Sequence, residues 1–390
     1  MAALRVLLLT SEYPPYLWGG LGRYSAEAVA ALRTSATVDV LNVPAYAGLF
    51  ESERADGDGM WTAQEDGGRV VHAESLAEPG LYERWMAGGD GFAERARAAA
   101  ARLDPPYDVA YVQDYYSGPY AVGLLFDRVV RRIVFMCHLP VYAGFTYFTK
   151  PHADEVHQAF EASSLRFADL VIAPSEFARR VLTLTHAIDP RRIAVLGEGV
   201  RLAEHPRVPS GPRGPLRILV VARMVEQKGL HFTVDVLRRL AEAGVGYRCT
   251  LVGRGPYTSA ILGLVHEARI AETVDHVPQM AHDALLESYL DADMLLTTSL
   301  YETFGLVVLE AMSRGCVPVA FRLPALGELI GDAGVMLPVG ATAAMADEIA
   351  SLAADRGRLR RLSELGFERA RPYSWERHAA ALRRLLAASS

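Results

Sequence analysis

The chain has 390 residues, of which 51% are hydrophobic and 22% are charged, and its formal net charge is −6. This length predicts about two domains, and the composition is typical of a folded globular protein and excludes a disordered one. The acidic balance argues against a nucleic-acid partner and against membrane association, because both normally need clustered basic residues.

The apolar runs and the cysteines indicate the cellular compartment. No run approaches the roughly 18 apolar residues that a membrane-spanning helix needs. Cys137, Cys249 and Cys316 are far apart, each in or beside an apolar run, and lack zinc-ligand spacing. They are predicted to be buried thiols of a cytoplasmic protein.

The first module of the chain is a strand, a glycine-rich loop and a helix. An apolar run over Leu4 to Thr10 predicts a buried strand, and a helical pattern covers Ser25 to Arg33. Between them, Gly19, Gly20 and Gly22 would let the main chain approach a bulky anion. A tight turn without a ligand explains the same glycines, and the order of a dinucleotide fingerprint or a P-loop is absent.

A histidine follows the strand predicted over Arg132 to Met136. His138 would then lie at the carboxyl end of a parallel strand, where ligands of open α/β sheets bind. The alternative is a histidine that is simply hydrogen-bonded at a strand end. The aromatic run over residues 142–148 is more typical of local core than of an acceptor-stacking surface.

The segment from Leu202 to Pro215 is rich in proline and lacks periodicity, so it is the predicted interdomain linker. A second domain is predicted from Leu216. Its first strand leads into a loop that carries Arg223 and Lys228. These two cations can close on a diphosphate, the arginine through a planar fork and the lysine as a point charge. An ordinary surface pair is the alternative.

Two further motifs lie in this second half. A strand over Cys249 to Val252 ends in Gly253-Arg254-Gly255. Asp291-Ala292-Asp293 has the spacing of a metal–diphosphate motif, but it precedes the predicted strand over Met294 to Thr298. No metal site is therefore predicted there.

The stretch over Met294 to Phe321 predicts a strand, a loop, a helix over Gly305 to Arg314 and a second strand. Glu302 in the loop and Glu310 in the helix flank the helix N-terminus. Such a terminus offers free N–H groups to an anion, and carboxylates accept hydrogen bonds from sugar and ribose hydroxyls. A loop glutamate and a helix-surface glutamate exposed to solvent are the alternative.

This stretch resembles the signature of the family 4 retaining glycosyltransferases. The matching residues are Ser299, Glu302, Phe304, Gly305, Glu310, Ala311, Gly315, Pro318 and Val319. The resemblance implies an α/β GT-B fold, with two Rossmann-like domains whose parallel sheets face a central cleft. It predicts an N-terminal acceptor-side domain over 1–203, a nucleotide-sugar-binding domain over 216–372 and a C-terminal helix over 373–390 that crosses back to the first domain.

The resemblance also implies roles for single residues. Arg223 and Lys228 would neutralise the leaving diphosphate, and Glu302 and His138 would contact the transferred sugar; these four are the predicted catalytic residues. Glu310 would hold the ribose hydroxyls. The other predicted substrate contacts are Gly19, Gly20, Gly253, Phe304, Gly305 and Leu306. The sequence departs from the family pattern at Leu139, Arg254 and Ala325-Leu326.

The predicted activity is transfer of a hexose-type sugar from a nucleoside-diphosphate sugar to a hydroxyl acceptor, with retention and without a metal or other cofactor. The acceptor is predicted to be a soluble small molecule or a glycan. Two alternatives stay open: a sugar-nucleotide epimerase of the same fold, and a non-catalytic two-domain ligand-binding protein.

Overall fold

The computed structural model describes residues 3–17, 19–43, 60–73, 91–140, 151–206 and 214–388, with side chains except in 91–93 and 151–157. The predicted aromatic run over 142–148 and part of the predicted linker lie outside these residues. The chain divides into two compact units. The first comprises Met1–Gly199 with Trp375–Ser390, and the second comprises Val200–Ser374.

The first unit is built on a mostly parallel sheet. Its strands are β1 (Arg5–Thr10), β2 (Thr37–Asn42), β3 (Trp61–Glu65), β4 (Gly68–His72), β5 (Val109–Val112), β6 (Ile133–Met136), β7 (Leu170–Ala173) and β8 (Ile193–Val195). Among the described residues their order is β3-β4-β2-β1-β5-β6-β7-β8, and only the edge strand β3 is antiparallel to its neighbour.

Helices cover both faces of this sheet, which is why its central strands are continuous apolar runs. The helices are α1 (Gly20–Arg33), α2 (Gly91–Ala100), α3 (Gly118–Phe126), α4 (Pro151–Phe167) and α5 (Glu176–His186). All four residues of β5 and all four of β6 are buried. The N-terminus of α5 is capped by Ser175, whose hydroxyl accepts a hydrogen bond from the Ala178 amide at 3.0 Å.

The second unit has a parallel sheet of six strands in the described part of the chain, in the order β11-β10-β9-β12-β13-β14. The strands are β9 (Leu216–Val221), β10 (Tyr247–Val252), β11 (Val274–Val277), β12 (Met294–Thr297), β13 (Val317–Phe321) and β14 (Val335–Leu337). The helices are α6 (Leu230–Glu242), α7 (Thr258–Glu267), α8 (His282–Asp291), α9 (Leu306–Met312), α10 (Pro324–Ile330), α11 (Thr342–Ala354) and α12 (Arg356–Ala370). The predicted α/β class with two parallel-sheet domains is confirmed.

The last helix, α13 (Trp375–Ala387), belongs to the first unit. It packs against α1, and its Leu382 and Leu386 are buried in the apolar cluster that also contains Val29 and Leu32 of α1. The amphipathic pattern of α13 is thus explained by one face that is buried against the N-terminal sheet layer.

Among the described strands, each sheet has one place where the strand order reverses. In the first unit this is between β1 and β5, and in the second it is between β9 and β12. The loops at the carboxyl ends of such strand pairs form the crevice in which open α/β sheets bind ligands. The fold therefore directs attention to the loops after β1 and β5 and to those after β9 and β12.

Candidate functional site

Lys228 and Glu302 meet at the reversal point of the second unit. Lys228 lies in a short 3-10 turn after β9, and Glu302 lies in the loop after β12. The Nζ of Lys228 donates to the Oε1 of Glu302 at 2.6 Å. The two side chains are only 17% and 14% exposed, so this ion pair is more shielded from water than an ordinary surface pair.

The two loops are fixed to each other by backbone contacts. Gly229, which ends the turn, has φ +56°, and a Cβ there would lie 2.3 Å from the carbonyl oxygen of Thr298. The Leu300 amide donates to the Gln227 carbonyl at 2.8 Å, and the Gln227 side chain donates to the Tyr301 carbonyl at 3.0 Å. Glycine at position 229 is therefore required for the close approach that brings Lys228 to Glu302.

Arg223 also follows β9, but its side chain is exposed and has no hydrogen bond or ion pair with any residue that the structure describes. Its loop is held by the adjoining loop after β10. Gly253 has φ +136°, and a Cβ there would lie 1.9 Å from the Ala222 carbonyl oxygen, while the Met224 amide donates to the Arg254 carbonyl at 3.0 Å. Gly253 thus supports the Arg223 loop sterically, and the Arg254 side chain is exposed beside it.

The start of α9 is shaped by the segment that departs from the family pattern. Gly305 has φ +102°, and a Cβ there would lie 2.6 Å from the Cδ2 of Leu326. Leu326 and Ala325 are buried in α10, so this segment is a helix packed against the start of α9. The Phe304 ring is buried against Tyr373, with ring centroids 5.7 Å apart. Phe304 can therefore meet a ligand through its backbone, whereas Leu306 is half-buried.

Glu310 is 3% exposed and lies on the buried side of α9. The hydroxyl of Tyr289, on α8, donates to its Oε2 at 3.0 Å. Burial lowers the pKa of the nearby Arg314, and the Glu310 carboxylate opposes that shift. The sequence contained no local signal for the Tyr289 contact, because α8 and α9 are brought together only by tertiary packing.

In the first unit, the glycine loop after β1 carries its own carboxylate. The Oε2 of Glu12 accepts hydrogen bonds from the Gly19 amide at 2.8 Å and from the Gly22 amide at 3.3 Å. An internal anion therefore caps the start of α1, where the sequence analysis predicted a ligand contact for Gly19 and Gly20. Gly20 is exposed. Sequence reasoning missed the role of Glu12.

His138 lies just beyond β6, as predicted, and the protein occupies both of its ring nitrogens. Its Nδ1 is 2.8 Å from the Oε1 of Glu198, and its Nε2 is 3.1 Å from the Oε1 of Gln113. Because a carboxylate only accepts hydrogen bonds, the Nδ1 carries a proton and donates it to Glu198. Sequence reasoning missed Glu198, although it follows β8 as His138 follows β6.

Asp114 fastens the loops at the reversal point of the first unit. It accepts hydrogen bonds from the Ser11 amide at 2.6 Å and from the Ser117 amide at 2.9 Å. Burial raises the pKa of this carboxyl group, and the amide donors oppose that rise. Asp114 joins the loop after β1 to the loop after β5.

The second aspartate of the Asp-x-Asp motif, Asp293, is paired with groups of the protein itself. Asp293 is fully buried, accepts a hydrogen bond from the Arg217 amide at 2.9 Å and pairs with Arg356 at 3.4 Å. It fixes the start of β9 at the edge of the sheet opposite the loops described above. Across the described ranges, no group of three or more potential ligands is arranged to hold a metal ion. In the same ranges, no helix is long and apolar enough to cross a membrane.

The structure thus groups the predicted residues by unit. Lys228 and Glu302 are in direct contact in the second unit. The loops of Arg223 and Gly253 adjoin each other, and one continuous segment carries Phe304, Gly305, Leu306 and Glu310. The first unit holds Gly19 and Gly20 at the start of α1 and His138 at the end of β6.

Comparison with known protein families covers nearly the whole chain. Residues 18–204 match glycosyltransferase family 4, and residues 203–369 match glycosyl transferases group 1. Among curated proteins, the chain is 26% identical to glycogen synthase of Mycobacterium tuberculosis, over 97% of this chain and 93% of that protein.

Solved structures show the same similarity. The fold resembles that of sucrose-phosphate synthase from Thermosynechococcus elongatus, with a TM-score of 0.80 and 22% identity over 99% of this chain and 100% of that one. It also resembles HepE of Anabaena, solved in complex with UDP and glucose, with a TM-score of 0.72 and 17% identity over 99% and 100% of the two chains.

Proposed function

The chain belongs to the family 4 glycosyltransferases and has their GT-B fold, and we propose that it transfers a hexose-type sugar from a nucleoside-diphosphate sugar to a hydroxyl acceptor with retention of configuration. The observation that carries this proposal is the Lys228–Glu302 pair at the reversal point of the second sheet. It brings a cation for the leaving diphosphate and a carboxylate for sugar hydroxyls to one place.

Neutralisation of the leaving group is the main catalytic contribution in this proposal. When the bond from the sugar C1 to the diphosphate oxygen breaks, negative charge grows on the phosphate. Lys228 has three N–H donors and can keep Glu302 while it donates to a phosphate oxygen. Arg223, exposed in the same loop after β9, adds a fork of donors, and fixed donors aimed at developing charge are strongly stabilising. The backbone N–H groups of Phe304 to Leu306 complete the set in the second unit.

The two carboxylates of the second unit have different proposed partners. Glu302 accepts hydrogen bonds from the transferred sugar, in addition to its contact with Lys228. Glu310 accepts hydrogen bonds from the ribose hydroxyls, and its hydroxyl partner Tyr289 fixes the carboxylate before a ligand arrives. Gly253 positions the loop beside the nucleotide. In the first unit, His138 contacts the transferred sugar, and Gly19 shapes the loop near the acceptor.

The proposed stereochemical course is the one that the resemblance to family 4 implies. The acceptor oxygen attacks C1 on the face from which the diphosphate leaves, and its proton passes to the departing phosphate oxygen. The bond formed and the bond broken therefore share one face, and the configuration is retained. Arg223 and Lys228 supply the positive charge that a divalent cation supplies in other enzymes, so this proposal needs no metal.

The proposed acceptor is a soluble small molecule or a glycan. Its support is the names of the similar proteins, since one makes glycogen and another makes a sucrose phosphate, and a third binds UDP and glucose. A cytoplasmic location is part of the proposal and rests on the three free, buried thiols.

Ligand-induced stabilisation tests the donor site. Saturating UDP, ADP or GDP should raise the melting temperature, since a ligand at 100 times its Kd stabilises the folded state by about 2.7 kcal/mol. Glu310→Ala should abolish this rise. Glu364→Ala, which removes an exposed carboxylate from α12, is the matched control and should retain it. If none of the nucleoside diphosphates stabilises the wild-type protein, the proposed function is wrong.

A further inference from the structure

His378 on α13 is 2% exposed and uses both ring nitrogens inside the first unit. Its Nε2 is 2.8 Å from the hydroxyl of Tyr24, and its Nδ1 is 2.8 Å from the carbonyl oxygen of Gly197. Tyr24 is on α1, and Gly197 follows β8. A single ring therefore connects the C-terminal helix to two separate segments of the N-terminal unit.

The direction of these hydrogen bonds is determined by chemistry. A carbonyl oxygen only accepts, so the Nδ1 of His378 donates to Gly197. Burial lowers the pKa of His378 to about 4, so the ring is neutral at pH 7 and its Nε2 accepts from the Tyr24 hydroxyl. The Tyr24 oxygen then accepts from the Tyr111 hydroxyl at 2.9 Å. The donor and the acceptor of each of these three hydrogen bonds are therefore defined.

Both partners of His378 lead directly to His138. The Tyr24 ring packs edge-to-face on the His138 ring, with centroids 4.7 Å apart. Gly197 immediately precedes Glu198, whose carboxylate accepts from the Nδ1 of His138 at 2.8 Å. One nitrogen of His378 thus holds the residue that packs on His138, and the other holds the neighbour of the residue that orients it.

The same helix also fixes the other side of Glu198. Trp375 packs against Gly199, where a Cβ would lie 2.7 Å from the indole ring. Glu198 is therefore flanked by Gly197, which is hydrogen-bonded to His378, and by Gly199, which is covered by Trp375. Among the ionisable groups of the described residues, Glu198 is hydrogen-bonded to the His138 ring and Tyr24 packs on it.

We propose that His378 is a positioning residue that fixes the orientation of His138 and its Nδ1 hydrogen bond to Glu198, through Tyr24 and through the Gly197-Glu198 segment. This inference rests on the proposed function, because that function gives His138 its contact with the transferred sugar. It assigns to the C-terminal helix a role in the chemistry as well as in stability.

Two amide substitutions separate the two connections. His378→Asn places an amide N–H near the position of Nδ1 and keeps the donor to Gly197, but it removes the acceptor for Tyr24. His378→Gln places an amide oxygen near the position of Nε2 and keeps the acceptor for Tyr24, but it removes the donor to Gly197. Leu382→Ala is the matched control, because it weakens the packing of the same helix and removes no donor or acceptor of these hydrogen bonds.

The first readout is the ¹⁵N chemical shifts of the two ring nitrogens of His138, observed by long-range proton–nitrogen correlation in protein labelled with ¹⁵N-histidine. His378→Gln should shift the Nδ1 signal of His138, because it removes the hydrogen bond to Gly197 that holds the neighbouring Glu198 in place. His378→Asn should change the ring environment set by Tyr24 and leave the Nδ1 signal nearer to wild type. Signals of His138 that are unchanged in both variants, or equally changed in Leu382→Ala, would overturn the proposal.

The second readout is turnover. Misplacement of a group that contacts the reacting sugar should lower kcat about 10- to 100-fold, with the donor KM within about twofold. If the His378 variants shift the His138 signals but the wild-type protein transfers no sugar, the proposed function is refuted and the positioning role stands. Should the His378 variants fail to fold, Tyr24→Phe cuts the same connection and keeps the ring on His138, and unchanged His138 and His378 signals there would overturn the proposal.

Discussion

The Nζ of Lys228 lies 2.6 Å from the Oε1 of Glu302, although the two residues come from loops after different strands of the second sheet. The pair forms because β9 and β12 are neighbours, and because Gly229 lets the lysine turn pack against the backbone of the glutamate loop. In the proposed reaction the diphosphate approaches a lysine that is already held in place. The cation therefore need not be ordered when the donor binds, which lowers the entropic cost of binding.

Lys228→Met should lower kcat/KM for the donor about 100- to 1,000-fold, as does loss of one donor that stabilises developing charge. It should also lower the free energy of unfolding by about 1 kcal/mol, because Glu302 loses a partly buried partner. Steady-state kinetics and urea denaturation measure the two effects. Glu242→Gln breaks the exposed pair with Arg238 and should leave the kinetics unchanged. A Lys228→Met enzyme with wild-type kcat/KM would rule out the proposed role of Lys228.

Arg223→Ala should separate function from stability. Its side chain is exposed and has no partner among the described residues, so the free energy of unfolding should change by less than about 0.5 kcal/mol. The kcat for sugar transfer should nevertheless fall about 100-fold, because the guanidinium meets the phosphate as it gains charge. Arg360→Ala removes an exposed cation from α12 and is the control for net charge. Equal kinetics for the two variants would contradict the assignment.

Gly253→Ala should destabilise the second unit and displace the Arg223 loop. Its Cβ would lie 1.9 Å from a backbone oxygen at φ +136°, so the backbone must move, at a cost of about 2 kcal/mol or more. Gly263→Ala offers the opposite case. Gly263 is inside α7 with nothing within 4 Å of the added carbon, and the substitution should stabilise the protein by about 1 kcal/mol. Calorimetric melting of both variants tests the prediction, which fails if the two substitutions change the melting temperature in the same direction.

The first unit should lose stability in acid because of His72. This ring stacks on Trp61 with centroids 4.0 Å apart, and burial lowers its pKa from 6.5 to about 4. As the pH falls below 6.5, His72 becomes protonated in the unfolded chain but stays neutral in the folded state, so stability falls until about pH 4. The loss attributable to this residue is about 3 kcal/mol.

Urea denaturation between pH 7 and pH 4 measures this loss. His72→Phe keeps an aromatic ring against Trp61 and removes the titration, so its acid destabilisation should be smaller than that of the wild type by about this amount. His266→Gln, at an exposed position of α7, should retain the wild-type profile. A His72→Phe variant with an unchanged pH dependence would refute the effect.

Local pattern was sufficient to predict the strands and the loops that carry the candidate residues. Runs such as Val109 to Val112 are apolar throughout because both faces of the sheet are covered, and Arg223, Lys228 and Glu302 lie in the loops that follow such runs. The helix predicted over Gly305 to Arg314 is shorter, Leu306–Met312, because Gly305 has a left-handed backbone and Ser313 ends it.

The partners of these residues were not predictable from the sequence. Tyr289 reaches Glu310 from another helix, and Glu198 reaches His138 from the loop after another strand. Glu12 caps the glycine loop from within its own segment, but its position depends on how that loop folds back. Such contacts are determined by tertiary packing, which has no period along the chain.

The central claim is most directly tested by proton NMR of the wild-type enzyme with α-linked nucleoside-diphosphate hexoses and a panel of glycan and small-molecule acceptors. We expect release of the nucleoside diphosphate together with a product whose new glycosidic bond is α, and we expect both to be lost in Lys228→Met. A β-linked product would contradict retention. A sugar nucleotide that changes its stereochemistry at a ring carbon without transfer to any acceptor would contradict the proposed glycosyl transfer.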